Sequence, residues 1–126
     1  MNMSVSEVFG ADPAKIKWNI VRGDTSPLRV EFLQDDEITY FDTSGWIYEA
    51  TSYDPQSDFL DSLEVTPGNG YVDITAPASI TKYWGTGYKS IVTELIFDLQ
   101  VTIDNNTIWT PLIGTIAVLG DITGSL

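Results

Sequence analysis

Polar and apolar residues alternate along the chain between Glu94 and Ile103. Such a period of two is typical of a half-buried strand in an antiparallel sheet. The apolar face of this strand consists of Leu95, Phe97, Leu99, Val101 and Ile103. Asp104-Asn105-Asn106 then supplies a turn, and Thr107–Leu112 is extended again, so we predict a β-hairpin. A further extended run from Gly114 to Thr123 follows it.

Shorter runs with the same character precede the hairpin. Gly, Asp and Pro separate them, as in Arg22-Gly-Asp-Thr-Ser-Pro27 and Pro67-Gly-Asn-Gly70, and these residues favour chain reversal. Pro77–Trp84 is the one stretch that favours a helical turn. The predicted strands before the hairpin are Trp18–Val21, Leu28–Leu33, Trp46–Tyr53, Leu63–Thr66 and Tyr71–Thr75.

Seven or eight short strands with almost no helix predict an all-β fold. The expected architecture is a single antiparallel β-sandwich of the immunoglobulin-like kind, and a small closed barrel is the alternative. Residues 1–16 show little periodicity, so we assign them to an extended N-terminal arm and residues 17–126 to the sandwich domain. A length of 126 residues suits one such domain.

The composition excludes several classes of protein. The chain contains no Cys and no His, which removes thiolate sites, the commonest metal ligand and the His-dependent hydrolases. We therefore expect no enzymatic activity, no cofactor and no metal site. A formal net charge of −12 argues against nucleic-acid binding. No apolar run approaches the roughly 18 residues of a membrane span, and without signal-peptide features we expect synthesis in the cytoplasm.

Two motifs invite a functional interpretation but have simpler ones. Arg22-Gly23-Asp24 matches the tripeptide of integrin ligands, yet a turn between strands explains it better. Two acidic groups, Asp35-Asp36-Glu37 and Asp54/Asp58/Asp61, could bind calcium on flexible loops. Neither follows the EF-hand spacing, so we interpret them as solvated loop charges.

Apolar residues on outward strand faces more often indicate a protein interface than a ligand site. On this ground we assign Ile96, Trp109 and Ile113 to a candidate interface. Val8 and Phe9 of the N-terminal arm are added to it. Four Trp and six Tyr residues also allow a sugar-binding surface. Its candidates, around the loop that contains Gly85 and Gly87, are Tyr83, Trp84 and Tyr88.

The order of several short motifs resembles a small β-sandwich module of tailed-bacteriophage virion structural proteins. The residues that carry the resemblance extend from Trp18 to Thr123, nearly the whole chain. They are Trp18-x-Ile20-x-Arg22-Gly-Asp-Thr25, Asp42-x-Ser-Gly-Trp46, Gly70-x-Val-Asp-Ile74, Phe97-Asp-Leu-Gln-Val101, Thr110-x-x-x-Gly114-x-Ile-x-Val118 and Asp121-Ile-Thr123. The chain departs from the pattern at Phe97, where Tyr is expected, and in the long approach from Ile91 to Ile96.

The resemblance implies a structural role in a virion and brings no catalytic residues with it. It implies contacts with other virion proteins, in the tail, baseplate or fibre, within a symmetric homo-oligomer or multicopy assembly. A capsid decoration protein on the head surface is the alternative within this class. A receptor- or glycan-binding module is the alternative from another class.

Overall fold

A computed structural model of the chain describes residues 2–4, 14–34, 36, 38–84, 92–104 and 107–120. Among these residues, eight strands and one short helix, α1 (Ala78–Thr81), make up the fold. The strands are β1 (Asn2–Ser4), β2 (Ala14–Val21), β3 (Ser26–Leu33), β4 (Ile47–Asp54), β5 (Phe59–Gly68), β6 (Tyr71–Ala76), β7 (Val92–Asp104) and β8 (Thr107–Leu119).

All strands lie in one sheet with the order β1-β3-β6-β5-β4-β7-β8-β2. The sheet nearly closes into a barrel. Strand β5 makes the corner, because Leu63 and the residues before it pair with β4, whereas Glu64 and those after it pair with β6. The predicted all-β fold is confirmed, and the near-closure corresponds to the barrel alternative that the pattern left open beside the sandwich.

Antiparallel pairing joins the central strands, and parallel pairing occurs at the two edges. β1 pairs in parallel with β3, and β2 pairs in parallel with β8. Both edge strands include part of the interval assigned to the arm, since β1 lies within it and β2 begins at Ala14. Residues 2–4 of that interval are thus paired with the sheet of their own chain.

The inner faces of the strands enclose one hydrophobic core. Aromatic rings fill one part of it, where Phe32 contacts Trp46, Tyr48 and Trp109 at centroid distances of 5.4, 6.1 and 5.9 Å. Elsewhere Trp18 packs edge-on against Phe97 at 5.5 Å. Rings at such separations and tilts attract each other in addition to the area that they bury.

Gly114 allows two strands to approach closely beside this core. A Cβ atom at this position would lie 2.5 Å from the backbone oxygen of Ile16 and 2.7 Å from the ring of Phe97. Gly114 pairs with both residues, since it is opposite Ile16 on β2 and opposite Phe97 on β7. The glycine is therefore required by packing and not by a turn.

The predicted hairpin between β7 and β8 is confirmed, but β8 is longer than either predicted run. Pairing continues from Thr107 to Leu119 and shifts register between Leu99 and Val101. Pro111 lies at this irregularity, where a residue without a backbone N–H is tolerated in a sheet. Within the described chain, no helix is long and apolar enough to cross a membrane.

Candidate docking surface

Strand β7 separates the core from an outward face by simple alternation. Leu95, Phe97 and Leu99 are at most 2% exposed, whereas Ile96 between them is 51% exposed. The alternation of the sequence thus predicts correctly which of these side chains face the core and which face outward. Ile96 lies on the outer surface of the sheet, as the sequence predicts.

Ile96 belongs to a row of residues that crosses four strands. Tyr53 of β4 is opposite both Ile96 and Leu60 of β5, and Thr115 of β8 is on the other side of Ile96. Leu60 is 63% exposed. The neighbouring row contains Thr51, Asp98 and Ile113.

These rows form a groove of about 460 Å³, which we call the β4–β7 groove. Exposed apolar side chains on a sheet face are tolerated singly, but a concave group of them indicates a contact surface. The groove is lined by Glu49, Thr51, Tyr53, Leu60, Ile96, Phe97, Asp98, Gln100 and Ile113.

The charges of the groove are acidic and are not balanced within it. Among the described residues, Glu49 and Asp98 are its carboxylates, and no Lys or Arg lines it. Partial burial, and then the negative charge of Glu49, raise the pKa of Asp98 above its ordinary value. The Asp98 carboxylate is therefore disfavoured in the isolated domain, and a cation nearby would relieve that cost.

The outer face of β3 and β6 is different, because one of its carboxylates is paired with a cation of the same face. The Arg29 guanidinium donates to both Asp73 carboxylate oxygens, from Nε at 2.7 Å and from Nη2 at 3.0 Å. It also lies 4.1 Å above the centroid of the Tyr71 ring. The Tyr40 hydroxyl donates to Glu31. We call this the β3–β6 face. The hydrogen bonds from Arg29 lower the pKa of Asp73.

Of the predicted interface residues, Ile96 and Ile113 line the β4–β7 groove. Trp109 does not, because it is 6% exposed and packs between Phe32 and Trp46 in the core. The expectation that Trp109 is exposed is wrong. Val8 and Phe9 lie outside the described residues.

The register shift at Pro111 explains the error at Trp109. Strict alternation from Leu112 back to Ile108 places Ile108 inside and Trp109 outside. The extra residue opposite Gln100 reverses the phase, so that Trp109 pairs with Val101 on the inner side while Ile108 is 63% exposed. A slip of one residue moves every side chain to the other face, and Pro111 was the available signal.

A second concavity lies between α1 and the start of β5, and we call it the β5–α1 cleft. Its lining includes two of the three predicted ligand-surface residues, Tyr83 and Trp84; Tyr88 lies outside the described residues. The cleft is lined by Asp54, Ser57, Phe59, Asp61, Ser79, Ile80, Tyr83 and Trp84. From the sequence, Asp54 and Asp61 were considered only as part of a calcium-binding group. The other lining residues were not singled out, because α1 lies beside β5 only in the folded chain.

Trp84 is not an exposed platform. It is 4% exposed, and its indole N–H donates to Oδ2 of Asp61 at 2.9 Å. The expectation of an exposed Trp84 is wrong, because the turn after α1 directs the ring into the core. Tyr83 is 67% exposed, and Phe59 on β5 is 59% exposed.

The Arg22-Gly23-Asp24 motif forms the turn between β2 and β3, as the simpler interpretation predicts. Gly23 has a φ of 89°, in the left-handed region that favours glycine. Arg22 is buried and donates from Nε to the backbone oxygen of Trp84 at 2.8 Å. A buried Arg22 cannot be presented to a receptor.

The Asp side chains of the acidic loops accept hydrogen bonds from nearby residues of the chain. Asp54 accepts from the Gln56 N–H at 2.9 Å, and Asp58 accepts from the Tyr53 hydroxyl at 2.8 Å. Asp36 accepts from the N–H of Ile38. Within the described part of the chain, no three carboxylates are grouped as a metal ion would require.

The chain was compared with known proteins by family, by sequence and by structure. No family model matches it, and no curated protein matches it. Its fold is similar to the N-terminal domain of phage TP901-1 ORF48, with a TM-score of 0.42 and 9% sequence identity over 95% of this chain and 94% of that one. A likeness at this level carries no argument about function.

Proposed function

We propose that this chain is a non-enzymatic structural protein of a tailed-phage virion, which docks on other virion proteins through the β4–β7 groove. The proposal places it in the tail, baseplate or fibre. Its support is the order of motifs from Trp18 to Thr123 together with the groove itself. The observation that carries it is an exposed apolar row through Ile96, flanked by carboxylates in a groove whose described lining contains no Lys or Arg.

The chemistry of the groove indicates the kind of neighbour it fits. Apolar contact at Ile96 and Leu60 would supply the driving force for association. Basic side chains around that contact would offset the charges of Glu49 and Asp98 and direct the approach of the partner. Two copies of this acidic face repel each other, so the partner presents a different surface.

The direct test is the protein content of purified virions. Quantitative mass spectrometry is expected to find the chain in particles purified through a density gradient. Its absence from such particles would reject the proposal. As a control, an antibody against the chain shows that the infected cells produced it.

Copy number and position separate the tail proposal from capsid decoration. A tail or baseplate component has a copy number set by the symmetry of that structure, whereas a decoration protein scales with the hexamers and pentamers of the head. Cryo-EM of particles that carry an epitope-tagged chain is expected to show label at the tail. Label over the head surface would replace the tail assignment with decoration.

The glycan-binding alternative loses one of its three candidate residues. Trp84 is buried, and its indole N–H is already donated to Asp61. No second function is therefore proposed on that basis.

A further inference from the structure

The turn between β5 and β6 contains a chemically labile pair of residues. Asn69 is followed by Gly70, and no other asparagine of the chain precedes a glycine. In such a pair the backbone nitrogen of the glycine can attack the side-chain carbonyl carbon of the asparagine, because glycine has no Cβ to obstruct the approach. Asn69 is exposed, and it is not among the residues that line the β4–β7 groove.

The reaction, deamidation, replaces one bond of the Asn69 amide with another. The Gly70 nitrogen loses its proton and bonds to Cγ of Asn69, and Nδ2 leaves as ammonia. Water then opens the resulting succinimide at one of its two carbonyls, which gives aspartate or isoaspartate. Both products add a negative charge, and isoaspartate also lengthens the main chain by one carbon. That extra carbon falls in a turn of two residues, since Gly68 pairs directly with Tyr71.

The fold requires the glycine of this pair. Gly70 has a φ of 91°, in the left-handed region that favours glycine. A Cβ atom at this position would also lie 2.6 Å from Cβ of Tyr40. Because the glycine is fixed, any limit on the reaction at Asn69 must come from the residues around the turn.

Thr43 contacts both reacting groups. Its side chain is 4% exposed, and its Oγ1 accepts the Gly70 N–H at 2.8 Å and donates to the backbone oxygen of Gly68 at 3.2 Å. The Thr43 N–H donates to Oδ1 of Asn69 at 3.4 Å. The proton that the reaction must remove is thus bound to a buried hydroxyl, which is too weak a base to take it.

The backbone on the other side of Gly70 is held as well. Its carbonyl oxygen accepts the Phe32 N–H at 2.8 Å. The reaction consumes the Gly70 N–H and must draw the nitrogen to Cγ of Asn69 while these hydrogen bonds hold the backbone. Their free energy therefore adds to the barrier in the folded state.

We infer that Asn69 is the deamidation site of this chain, and that the Thr43 side chain slows the reaction in the folded state. The unfolded chain lacks this protection, because its Gly70 N–H is hydrogen-bonded to water. The inference concerns the chemical lifetime of the folded chain, and it holds whether or not the chain belongs to a virion.

The test is the rate of deamidation of the full chain in warm, mildly alkaline buffer. Anion-exchange chromatography separates the products by their added charge, and peptide mapping by mass spectrometry locates the modified residue. Asn69 is expected to react about ten-fold or more slowly in the folded chain than in denaturing urea, since several hydrogen bonds oppose the reaction. Hydrogen exchange of the folded chain is expected to show a protected Gly70 amide.

Three variants assign the protection to the Thr43 hydroxyl. Thr43→Val removes it and is expected to speed the reaction about three- to ten-fold, as for the loss of one hydrogen bond. Thr43→Ser retains it and is expected to react as the unmodified chain does. Thr81→Val is the matched control, because Oγ1 of the buried Thr81 accepts the N–H of Gly23 at 3.2 Å. Gly23 follows an arginine, so this variant is expected to melt at a lower temperature without faster reaction at Asn69.

All rates are measured well below the melting temperature of each variant. Equal rates in the folded and the urea-denatured chain would overturn the inference, as would an unprotected Gly70 amide. These two measurements need no variant and decide the question even if Thr43→Val does not fold. Equal rates for folded Thr43→Val and Thr81→Val would remove the role of the hydroxyl. Faster deamidation at any other asparagine would reject Asn69 as the site.

Discussion

The two outer faces of the sheet treat their charges in opposite ways. On the β3–β6 face, Asp73 has Arg29 as a partner, and its pKa is lowered. In the β4–β7 groove, Asp98 has the carboxylate of Glu49 nearby, no Lys or Arg is among the described lining residues, and the pKa of Asp98 is raised. This difference is why the docking proposal is made for the groove and not for the β3–β6 face.

The largest expected effect is on the free energy of unfolding, which should fall much more for a substitution in the core than for one in the groove. Trp109→Ala should lower the free energy of unfolding by about 3–5 kcal/mol, because it empties a site between Phe32 and Trp46. Ile96→Ala should lower it by less than about 1 kcal/mol, because that side chain is half exposed. Urea unfolding of both variants measures the two values. Similar losses would show that Ile96 belongs to the core and that the groove is not a free surface.

The second effect concerns the β3–β6 face. Arg29→Gln should lower the melting temperature, since it removes the paired hydrogen bonds to Asp73 and the contact with Tyr71. The loss should shrink in about 1 M salt, where exposed charges are screened beyond roughly 3 Å. Lys17→Gln makes the same change in net charge at an exposed position of β2 and should have little effect. Equal effects of the two variants would mean that only net charge matters.

The smallest expected effect is on the pH dependence of stability, to which Asp73 and Asp98 contribute with opposite signs. A lowered folded pKa means that Asp73 stabilises the domain at neutral pH, and that this stability is lost as pH falls through the folded pKa. A raised folded pKa means that ionised Asp98 costs stability at neutral pH, and that the cost disappears in acid.

Melting curves at a series of pH values test this difference. At neutral pH, Asp73→Asn should be less stable than the unmodified chain and Asp98→Asn slightly more stable. The Asp73 difference should shrink as the pH falls below the ordinary carboxyl value of 3.8, whereas the Asp98 difference should shrink before the pH reaches that value. A loss of stability for Asp98→Asn at neutral pH would contradict the description of the groove as an uncompensated face.

The sequence predicted the strands other than β1, and the side of each β7 residue from Leu95 to Leu99, because alternation is a local property. Leu95 and Phe97 inside, and Ile96 outside, follow from the pattern alone. The faces of β8 could not be read in the same way, because the register shift depends on pairing with β7. Pro111 was a signal of that irregularity, and its use would have placed Trp109 in the core.

The two concavities were accessible to sequence reasoning to different degrees. Ile96 and Ile113 of the β4–β7 groove were found as outward apolar residues. Leu60 and Tyr53 were not, since their places beside Ile96 arise from pairing among β5, β4 and β7. The β5–α1 cleft depends on a contact between segments that are distant in the chain, which no local pattern reports.

The most direct measurement of the central claim is the incorporation of groove variants into virions. Phage that lack their own copy of the gene are grown in cells that supply Ile96→Asp or, as the control, Ile38→Asp. The control makes the same change at a residue that is 82% exposed and lies away from the groove. Both purified domains are first shown to melt as the unmodified domain does.

Quantitative mass spectrometry of the particles then gives the amount of each variant. Ile38→Asp should be incorporated as the unmodified chain is. Ile96→Asp should be reduced about ten-fold or more, since placing a charge in an apolar contact costs upwards of about 1.4 kcal/mol. Equal incorporation of the two folded variants would contradict the assignment of the β4–β7 groove as the docking surface.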